Sequence, residues 1–295
     1  MRITILGANS YIARNLIHYI NMQGKDELFL YDYQEEHLDN APNYQQLNIL
    51  DVEKVQAVQF NVDIIYMFVG KTGTMQGFED YSSYIDINEK ALLNVLTAYR
   101  KSNSKAKIVF PSTRLVYHGV EGPLKEEAEK EYKTIYAINK YACEQYLKMY
   151  NAVFDVQYVT VRICVPYGTM IANASSYGTA EFMLSKAKEG ADITLYGGGT
   201  VRRTLIHMLD LCAVLYLVGK TDQCKNDIYN IGGEDYSLKE MAEKIAVKYG
   251  IHVTDVPWPA AALKIESGDT VFDDTKLQRC INYQYQYRFD KWIEA

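Results

Sequence analysis

Short apolar runs alternate with amphipathic stretches along most of the chain, and this alternation restricts the possible folds more than any other feature of the sequence. Seven runs have the length and residue types of strands: "RITIL", "LFLY", "YQQLNI", "DIIYMFV", "KIVFPS", "VQYVTVRI" and "DIYNI". Three of the stretches between them have the apolar spacing of helices: "SYIARNLIHYIN", "IDINEKALLNVLTAYRKS" and "NKYACEQYLKMYNAV". The alternation predicts an α/β fold with helices on both faces of a doubly wound parallel sheet.

This alternation is interrupted twice in the second half of the chain. It breaks down between about residues 169 and 204, and again after about residue 233. We therefore predict a nucleotide-binding domain formed by residues 1–168 plus about 205–232. Residues from about 169–204 plus 233–295 would form a smaller, discontinuous substrate-binding lobe, and a chain of 295 residues is long enough for both.

Charge and cysteine usage argue against several classes of partner. The net charge of −6 disfavours nucleic acid or an anionic membrane as the main partner. The five cysteines are scattered, without a C-x-x-C motif or a His/Cys cluster, which predicts no metal site and a reducing, cytoplasmic compartment. The chain has no apolar run of about 18 residues, and its first residues have the pattern of a strand rather than a signal peptide. We therefore expect no membrane segment.

The first apolar run leads directly into "GANSYIA" and then into a helical stretch. Such a turn lets phosphate oxygens approach backbone N–H groups at a helix N-terminus, where the helix dipole favours negative charge. Position 10 departs from the usual glycine pattern, so Ser10 must leave room for a pyrophosphate or bond to it through its hydroxyl. A plain strand-to-helix turn is the alternative. The cofactor contacts predicted from this turn are Gly7, Asn9, Ser10, Tyr11 and Ile12.

An acidic residue at the end of the second strand strengthens the dinucleotide interpretation. Asp32 lies 19 residues past Ala13, close to the spacing at which a carboxylate meets the adenosine ribose hydroxyls. Because a carboxylate there repels a 2′-phosphate, we expect NAD rather than NADP; a strand-end cap is the alternative role of Asp32. Further expected contacts follow the next two strands, with Asn48 and Ile49 at the adenine, Phe68, Val69 and Gly70 at the nicotinamide, and Lys71 at the substrate.

The stretch "TIYAINK" places Tyr136 four residues before Lys140, so the two side chains share a helix face. Thr113 ends the preceding strand, at the sheet edge where ligands bind in such folds. A tyrosine hydroxyl has a pKa near 10, so taking a proton from a sugar alcohol near neutral pH requires a reduction of roughly 3 units, or about 4 kcal/mol. The Lys140 ammonium and a positive nicotinamide ring can supply that reduction, while Thr113 holds the substrate oxygen.

The same Tyr-x-x-x-Lys spacing also begins at Tyr216 and at Tyr287, so the spacing alone does not identify a site. Tyr216 lies in the apolar stretch "LDLCAVLYLVGK", where it is expected to be part of the core. Tyr287 lies in the C-terminal tail, and neither copy follows a strand that ends in Ser or Thr. We therefore expect the catalytic set to be Thr113, Tyr136 and Lys140.

Several longer motifs accompany this set: "YAINKYACE", "FPSTRLVYH", "VRICVPYG", "LYGGGTVRRTLIHMLDL" and "YNIGGEDYSLKEMAEKI". With them the chain resembles, nearly end to end, the extended short-chain dehydrogenase/reductases, also called the NAD-dependent epimerase/dehydratase family, and especially their nucleotide-sugar members. The resemblance implies a Rossmann fold, bound NAD, a catalytic Thr/Tyr/Lys set and a homodimer. It also implies that Lys140 contacts the nicotinamide ribose and that Arg203 binds a nucleotide diphosphate.

Five positions depart from the family pattern. Val165 stands where many nucleotide-sugar enzymes have an Asn that bonds the diphosphate, and Thr204 replaces the usual Asp. Glu266, in "KIESGDTVFDD", lies near the place of a frequent arginine. These three changes weaken the expectation of a standard nucleotide sugar. Arg114 and Leu115 replace the Asp-Glu pair of sugar dehydratases, which argues against dehydration.

We expect an NAD-dependent epimerase or oxidoreductase that acts on a sugar hydroxyl or ketone, with a nucleotide-linked sugar as the expected substrate class. Tyr136 would move the proton while a hydride moves to or from the nicotinamide. The sequence does not separate an epimerase from a dehydrogenase. The alternatives are a reductase of a small ketone without a nucleotide and a non-catalytic dinucleotide sensor. A sensor is disfavoured because both Tyr136 and Lys140 are present.

Two helical stretches, "INEKALLNVLTAYRKS" and the one that follows Tyr136, are more apolar around their circumference than a helix needs to pack one side on a sheet. We predict that they pair across a two-fold axis as a four-helix bundle, which would form a homodimer. A thicker single-chain core is the alternative. The prediction rests on Ala91, Leu92, Val95, Leu96, Ala98, Tyr141, Ala142, Tyr146, Leu147 and Tyr150.

Overall fold

The computed structural model describes residues 1–174 and 178–294. Residues 175–177 and 295, which belong to the two predicted pieces of the substrate lobe, lie outside the described residues. The strands are β1 (Arg2–Leu6), β2 (Glu27–Asp32), β3 (Tyr44–Gln46), β4 (Ile64–Met67), β5 (Lys107–Thr113), β6 (Pro123–Leu124), β7 (Tyr158–Ile163), β8 (Val165–Tyr167), β9 (Ile193–Tyr196), β10 (Arg202–His207), β11 (Asp227–Asn230), β12 (Glu234–Ser237), β13 (Val253–Val256) and β14 (Val271–Phe272).

The helices lie between these strands. They are α1 (Tyr11–Gln23), α2 (Val52–Gln56), α3 (Gln76–Glu79), α4 (Tyr81–Ile85), α5 (Ala91–Lys101), α6 (Ile135–Phe154), α7 (Thr179–Lys188), α8 (Met208–Lys220), α9 (Leu238–Tyr249), α10 (Ala260–Ile265), α11 (Thr275–Ile281) and α12 (Phe289–Glu294). Among the helices of the described residues, none combines the length and the hydropathy that crossing a bilayer requires.

Seven strands form one parallel sheet in the order β11-β7-β5-β4-β1-β2-β3. Helices cover both of its faces: α1 and α8 pack on one, and α2, α5 and α6 on the other. In β4, Ile64 and Tyr66 face the first layer while Ile65 and Met67 face the second, as alternation along a strand requires. The predicted doubly wound sheet is therefore confirmed. Its strand order reverses beside β1, which opens a crevice at the carboxyl ends of β1 and β4.

The later part of the chain forms smaller sheets beside the main one. One has the order β12-β10-β8, and the pairs β9/β13 and β6/β14 are separate. Helices α7, α9 and α12 pack against β8, β9 and β10 in a core of their own. The residue numbers at which we divide the chain into two lobes stay a prediction.

The stretch predicted as one helix before β5 is interrupted. Helix α4 passes into a π-helical turn at Asp86–Lys90, and α5 follows directly. The turn directs Asn88 into the interior, where its side chain accepts a hydrogen bond from Lys71 N at 2.7 Å. Extra residues of this kind inside a helix occur frequently at functional sites.

The α5 residues that suggested a four-helix bundle pack inside the chain itself. Ala91, Leu92, Val95, Leu96 and Ala98 are at most 3% exposed, because they face the sheet together with strand residues of the second layer. The argument from α5 is therefore wrong, although a homodimer stays a prediction. Helices α4 and α6 do expose large apolar side chains: Tyr81, Ile85, Ile138, Met149, Val153 and Phe154.

Candidate active site

A cleft of about 330 Å³ lies at the carboxyl ends of β1, β2 and β4, where the strand order reverses. Nine of the residues predicted to contact a cofactor line it: Gly7, Asn9, Ser10, Asp32, Asn48, Ile49, Phe68, Val69 and Gly70. Four segments of the sequence, each following a different strand, thus meet in one place. That these residues bind the cofactor stays a prediction.

Gly7 sets the shape of the turn that follows β1. Its φ of 87° is in the left-handed region, and a Cβ at this position would lie 2.6 Å from Val69 N. Any other residue would therefore be strained and would collide with the backbone after β4. The close approach of the two segments keeps the floor of the cleft free of side chains, as a pyrophosphate next to the backbone requires.

The Ser10 hydroxyl is a buried polar atom without a partner in the described part of the chain. Ser10 is also the N-cap residue of α1, directly before Tyr11, and its side chain makes no capping hydrogen bond. Buried polar atoms are nearly always hydrogen-bonded, so this hydroxyl is suited to a ligand oxygen at the helix N-terminus. The turn therefore fits the pyrophosphate of a dinucleotide, and Ser10 can bond to it where glycine cannot.

The Asp32 carboxylate both caps the end of β2 and lines the cleft. Its Oδ2 accepts a hydrogen bond from Asn9 N at 2.9 Å, and its Oδ1 accepts one from Tyr33 N at 2.7 Å. The two roles considered for Asp32 are thus compatible. The half-buried carboxylate leaves a position beside it for the ribose hydroxyls of an adenosine.

Tyr11, Ile12 and Lys71 lie differently from the other predicted contacts. The Tyr11 hydroxyl donates to the Gly168 carbonyl, and Ile12 packs against the core beneath the sheet. The Lys71 ammonium is paired with Asp80 and with the Ser83 hydroxyl, the latter at 2.5 Å. Tyr11 and Ile12 could therefore contact a cofactor only through their backbone. Lys71 could contact a substrate only if its ammonium left Asp80 and Ser83.

Tyr136 lies in the first turn of α6, directly above the end of β5. The helix begins after Thr134, whose hydroxyl accepts a hydrogen bond from Ala137 N at 3.1 Å. The Thr113 side chain lies close enough to Tyr136 to lower the pKa of its hydroxyl. Burial raises the pKa of Tyr136 to about 12, and Thr113 and the Arg114 charge only partly oppose this rise.

Lys140 lies one turn further along α6, and its side chain is buried. Its Nζ donates to the Pro111 carbonyl at 2.8 Å and lies 4.5 Å from the centre of the Phe110 ring. Burial lowers the pKa of Lys140 to about 8. A Cβ added to Gly70 would be 3.7 Å from this Nζ, which places Lys140 beside the cofactor cleft.

The other two Tyr-x-x-x-Lys copies are far from this arrangement in the sheet. The Tyr216 hydroxyl donates to Asp26 at 2.6 Å, and Asp26 also pairs with the N-terminal ammonium, at the amino ends of the strands. The Tyr287 ring stacks on His207 at 4.8 Å, among residues of the C-terminal segment. Only Tyr136 lies next to Thr113 among the three tyrosines.

Arg203 is buried and already paired. Its side chain is 3% exposed, and its Nη2 lies 2.5 Å from the Glu266 carboxylate. The Nη1 group donates to the carbonyls of Arg202, at 2.8 Å, and of Gly268. A diphosphate would therefore have to share this guanidinium with Glu266 or displace it, a constraint that the sequence comparison with the family did not reveal.

Two groups that support the site were not identified from sequence. Asn88 bonds to Lys71 on one side and to Asn139 at 3.3 Å on the other, which fixes the loop after β4 against α6. The Glu144 carboxylate, on α6, makes a buried ion pair with Arg162 and accepts the Ser112 hydroxyl bond at 2.5 Å. The role of Glu144 could have been foreseen, because Glu144 follows Lys140 by one turn on a helix face that is otherwise buried. No signal in the sequence indicates the role of Asn88.

One family model and several curated proteins match the chain. The model of the NAD dependent epimerase/dehydratase family matches residues 3–232. A putative UDP-glucose 4-epimerase of Methanocaldococcus jannaschii is 26% identical over 235 residues, covering 78% of this chain and 70% of that protein. A CDP-paratose 2-epimerase of Salmonella typhi is 22% identical over 269 residues, covering 79% of each chain.

Solved structures of the same kind share the fold. A UDP-glucose 4-epimerase of Thermus thermophilus in complex with NAD superposes with a TM-score of 0.86 at 21% identity, covering 99% of this chain and 96% of that one. A UDP-glucuronic acid 4-epimerase variant of Bacillus cereus gives a TM-score of 0.88 at 18% identity, covering 100% and 97%. At these identities the likeness concerns the fold.

Proposed function

The chain belongs to the NAD-dependent epimerase/dehydratase family and is therefore an NAD-dependent enzyme; from this premise we propose that it acts on a nucleotide-linked sugar, with Tyr136 as proton acceptor and donor. The observation that carries the proposal is the placement of Lys140, one turn after Tyr136 on α6: its Nζ bonds to the Pro111 carbonyl near the end of β5 and lies beside Gly70 of the cofactor cleft. Thr113, which ends β5, lowers the pKa of Tyr136. The curated relatives named above act on UDP- and CDP-linked sugars according to their names, which supports a substrate of this class.

When bound in the cleft, NAD would supply the hydride acceptor for the sugar carbon, and its oxidised ring would add a positive charge to the site. Thr113 holds the sugar oxygen near the Tyr136 hydroxyl by hydrogen bonding. Tyr136 takes the hydroxyl proton during oxidation and returns it during reduction. Burial raises the pKa of Tyr136 to about 12, so positive charge near the hydroxyl must stabilise its ionised form. The charge of Arg114 already lowers this pKa, and Lys140, with a pKa of about 8, is mostly protonated at neutral pH.

Among the reactions of this class, we favour epimerisation. Several relatives are epimerases by name, whereas Arg114 and Leu115 supply no acidic pair for dehydration. An epimerase must keep its cofactor through both half-reactions. Purified protein that releases stoichiometric NAD on denaturation would support this choice, and protein without dinucleotide would favour a dehydrogenase.

A reductase of a small ketone remains the second candidate because one observation favours it. The Arg203 guanidinium is neutralised by Glu266, and a substrate without a diphosphate needs no free cation there. A thermal-denaturation screen of UDP-, GDP-, CDP- and dTDP-sugars in the presence of NAD separates the two. Stabilisation by one nucleotide class supports the first proposal, and stabilisation by none of them supports the second. A cytoplasmic location stays a prediction.

The choice of NAD over NADP is the first testable consequence of the cleft. A 2′-phosphate beside the Asp32 carboxylate would meet a like charge, at a cost of roughly 1–4 kcal/mol at short range. Titration calorimetry should therefore show much tighter binding of NAD than of NADP, and Asp32→Asn should narrow the difference. Equal or stronger binding of NADP to the wild-type protein would refute the role of Asp32.

The Ser10 hydroxyl gives a second test with two readouts. Since it has no partner in the described chain, Ser10→Ala should leave the free energy of unfolding without NAD nearly unchanged. It should weaken NAD binding by about 0.5–1.5 kcal/mol, because one hydrogen bond to the pyrophosphate is lost. Ser82→Ala, at an exposed position on α4, is the matched control. Unchanged NAD affinity in Ser10→Ala would mean that the hydroxyl does not bond the cofactor.

A homodimer is the third prediction, now placed on the exposed apolar residues of α4 and α6. Light scattering at micromolar concentration should give twice the mass of one chain. Met149→Asp, which puts a charge on this surface, should produce monomers. Val247→Asp is the control, because Val247 is 86% exposed but lies on α9, outside the predicted dimer surface of α4 and α6. A monomeric wild-type protein contradicts the prediction.

A further inference from the structure

Two arginines, Arg114 and Arg203, lie against the same segment, residues 266–268, but of the two only Arg203 forms an ion pair with Glu266, whose charge also acts on Arg114 over a longer distance. Arg203 pairs with the Glu266 carboxylate and donates to two backbone carbonyls. Arg114 makes a single hydrogen bond, from Nη1 to the Ser267 hydroxyl at 2.8 Å. The acid nearest to both arginines is thus committed to Arg203.

Arg114 consequently has donors to spare. Within residues 1–174 and 178–294, no carboxylate forms an ion pair with it, and its Nε and Nη2 groups have no hydrogen-bond partner. Neither nitrogen belongs to the enclosed unpartnered atoms of the described residues, so each keeps some exposed surface. Burial and the charge of Arg203 lower the pKa of Arg114 to about 10, which still leaves it protonated at neutral pH.

The position of Arg114 puts this charge at the reacting end of the substrate. It follows Thr113 directly, in a short 3₁₀ turn, Arg114–Val116, held by a hydrogen bond from Leu115 N to the Thr113 hydroxyl at 3.3 Å. Its charge acts on the Tyr136 hydroxyl, whose pKa Thr113 also lowers. A group that binds Arg114 therefore lies close to the carbon on which Tyr136 acts.

We propose that Arg114 binds an anionic substituent of the sugar ring, so that the preferred substrate is a nucleotide-linked sugar acid rather than a neutral hexose. The proposal rests on the proposed function and specifies its substrate class. A partly desolvated cation without a counter-ion is costly, and a carboxylate fits the planar donors of a guanidinium in two-point contact. A neutral hexose would offer the unpaired donors of Arg114 no charged partner, and Glu266 compensates the charge only partly.

The test compares UDP, UDP-glucose and UDP-glucuronic acid by titration calorimetry on NAD-loaded protein. Wild type should bind UDP-glucuronic acid at least tenfold more tightly than UDP-glucose. Arg114→Gln should weaken UDP-glucuronic acid binding by about 10- to 100-fold, as expected for lost charge-assisted bonds, while UDP and UDP-glucose change less than about threefold. Ser267→Ala, which removes the bond that orients Arg114, should give a smaller loss of the same selectivity. NAD affinity, measured in each variant, reports on correct folding.

Three results would overturn the proposal. Equal weakening of UDP and UDP-glucuronic acid in Arg114→Gln would assign Arg114 to the diphosphate, and wild type without preference for the acid would remove the need for an anion. If Arg114→Gln lost turnover but bound every probe as wild type does, the role of Arg114 would be limited to its charge on the Tyr136 hydroxyl. If wild type binds no UDP compound, the proposed use of a uridine nucleotide fails separately. In that case, the thermal stability of the protein is compared in the presence of D-glucuronate and of D-glucose. The proposal is refuted if D-glucuronate does not stabilise the wild type more than D-glucose does, or if it stabilises Arg114→Gln equally.

Discussion

Replacing Tyr136 with Phe is expected to lower turnover by about 10²–10⁴-fold, the usual contribution of a general acid/base. The substitution removes one oxygen and keeps the ring, so the fold and the binding of NAD should survive. Lys140→Ala should also abolish most activity. It should in addition weaken NAD binding, because the Lys140 ammonium lies beside Gly70 of the cofactor cleft. Turnover and NAD occupancy are measured on one substrate for each variant.

The chain supplies two matched controls for this experiment. Tyr216→Phe removes a hydroxyl that is bonded to Asp26 at the opposite edge of the sheet, and Tyr287→Phe removes one in the C-terminal segment. Both should leave turnover within a few-fold of wild type. The first should cost about 1 kcal/mol of stability, since it loses one hydrogen bond. Near-normal turnover in Tyr136→Phe, or loss of turnover only in Tyr216→Phe, would show that the catalytic tyrosine is misassigned.

Arg203→Ala should reduce the free energy of unfolding by roughly 3–5 kcal/mol, because it leaves the largely buried Glu266 carboxylate without a counter-charge. Equilibrium urea denaturation measures the change. Arg202→Ala is the control. The Arg202 side chain is 36% exposed and pairs with Asp235, so its removal should cost less than about 1 kcal/mol of stability. The double variant Arg203→Ala/Glu266→Ala should recover part of the loss. Equal effects of the two single arginine variants would contradict the buried pairing.

The same arginine tests the diphosphate site. If Arg203 binds a diphosphate, Arg203→Ala should weaken substrate binding by roughly 2–4 kcal/mol without changing NAD affinity. Glu266→Gln should have the opposite effect, because it frees the guanidinium from its ion pair. A normal substrate KM in Arg203→Ala would favour the small-ketone reductase over an enzyme for nucleotide sugars.

The fold and the cofactor cleft could be predicted because their signals are local. Gly7 and Ser10 belong to one strand-turn-helix unit, and Asp32 ends the next strand, so spacing alone brings them to one sheet edge. Tyr136 and Lys140 share a helix face for the same reason. Thr113 could be placed beside them because the carboxyl ends of parallel strands meet at one edge.

The remaining features depend on contacts that no local pattern encodes. Glu266 neutralises Arg203 across 63 positions of sequence, which the family resemblance could not indicate. The apolar residues of α5, such as Leu92 and Val95, fill the layer under the sheet, so an excess of apolar residues did not mean an interface. The π-helical turn that positions Asn88 shifts the helix by a fraction of a turn, and side-chain periodicity does not detect such a change.

The most direct test of the central claim follows reduction of the bound nicotinamide. NAD-loaded protein is mixed with UDP-, GDP-, CDP- and dTDP-linked sugars, including UDP-glucuronic acid, and the near-ultraviolet absorbance of the reduced cofactor is recorded for wild type and for Tyr136→Phe. We predict that at least one nucleotide sugar reduces the cofactor in wild type during the first turnover, before an epimerase would return the hydride to the sugar, and that this rate falls by about 10²–10⁴-fold in Tyr136→Phe. Reduction by none of the sugars, or at the same rate in both proteins, would contradict the account.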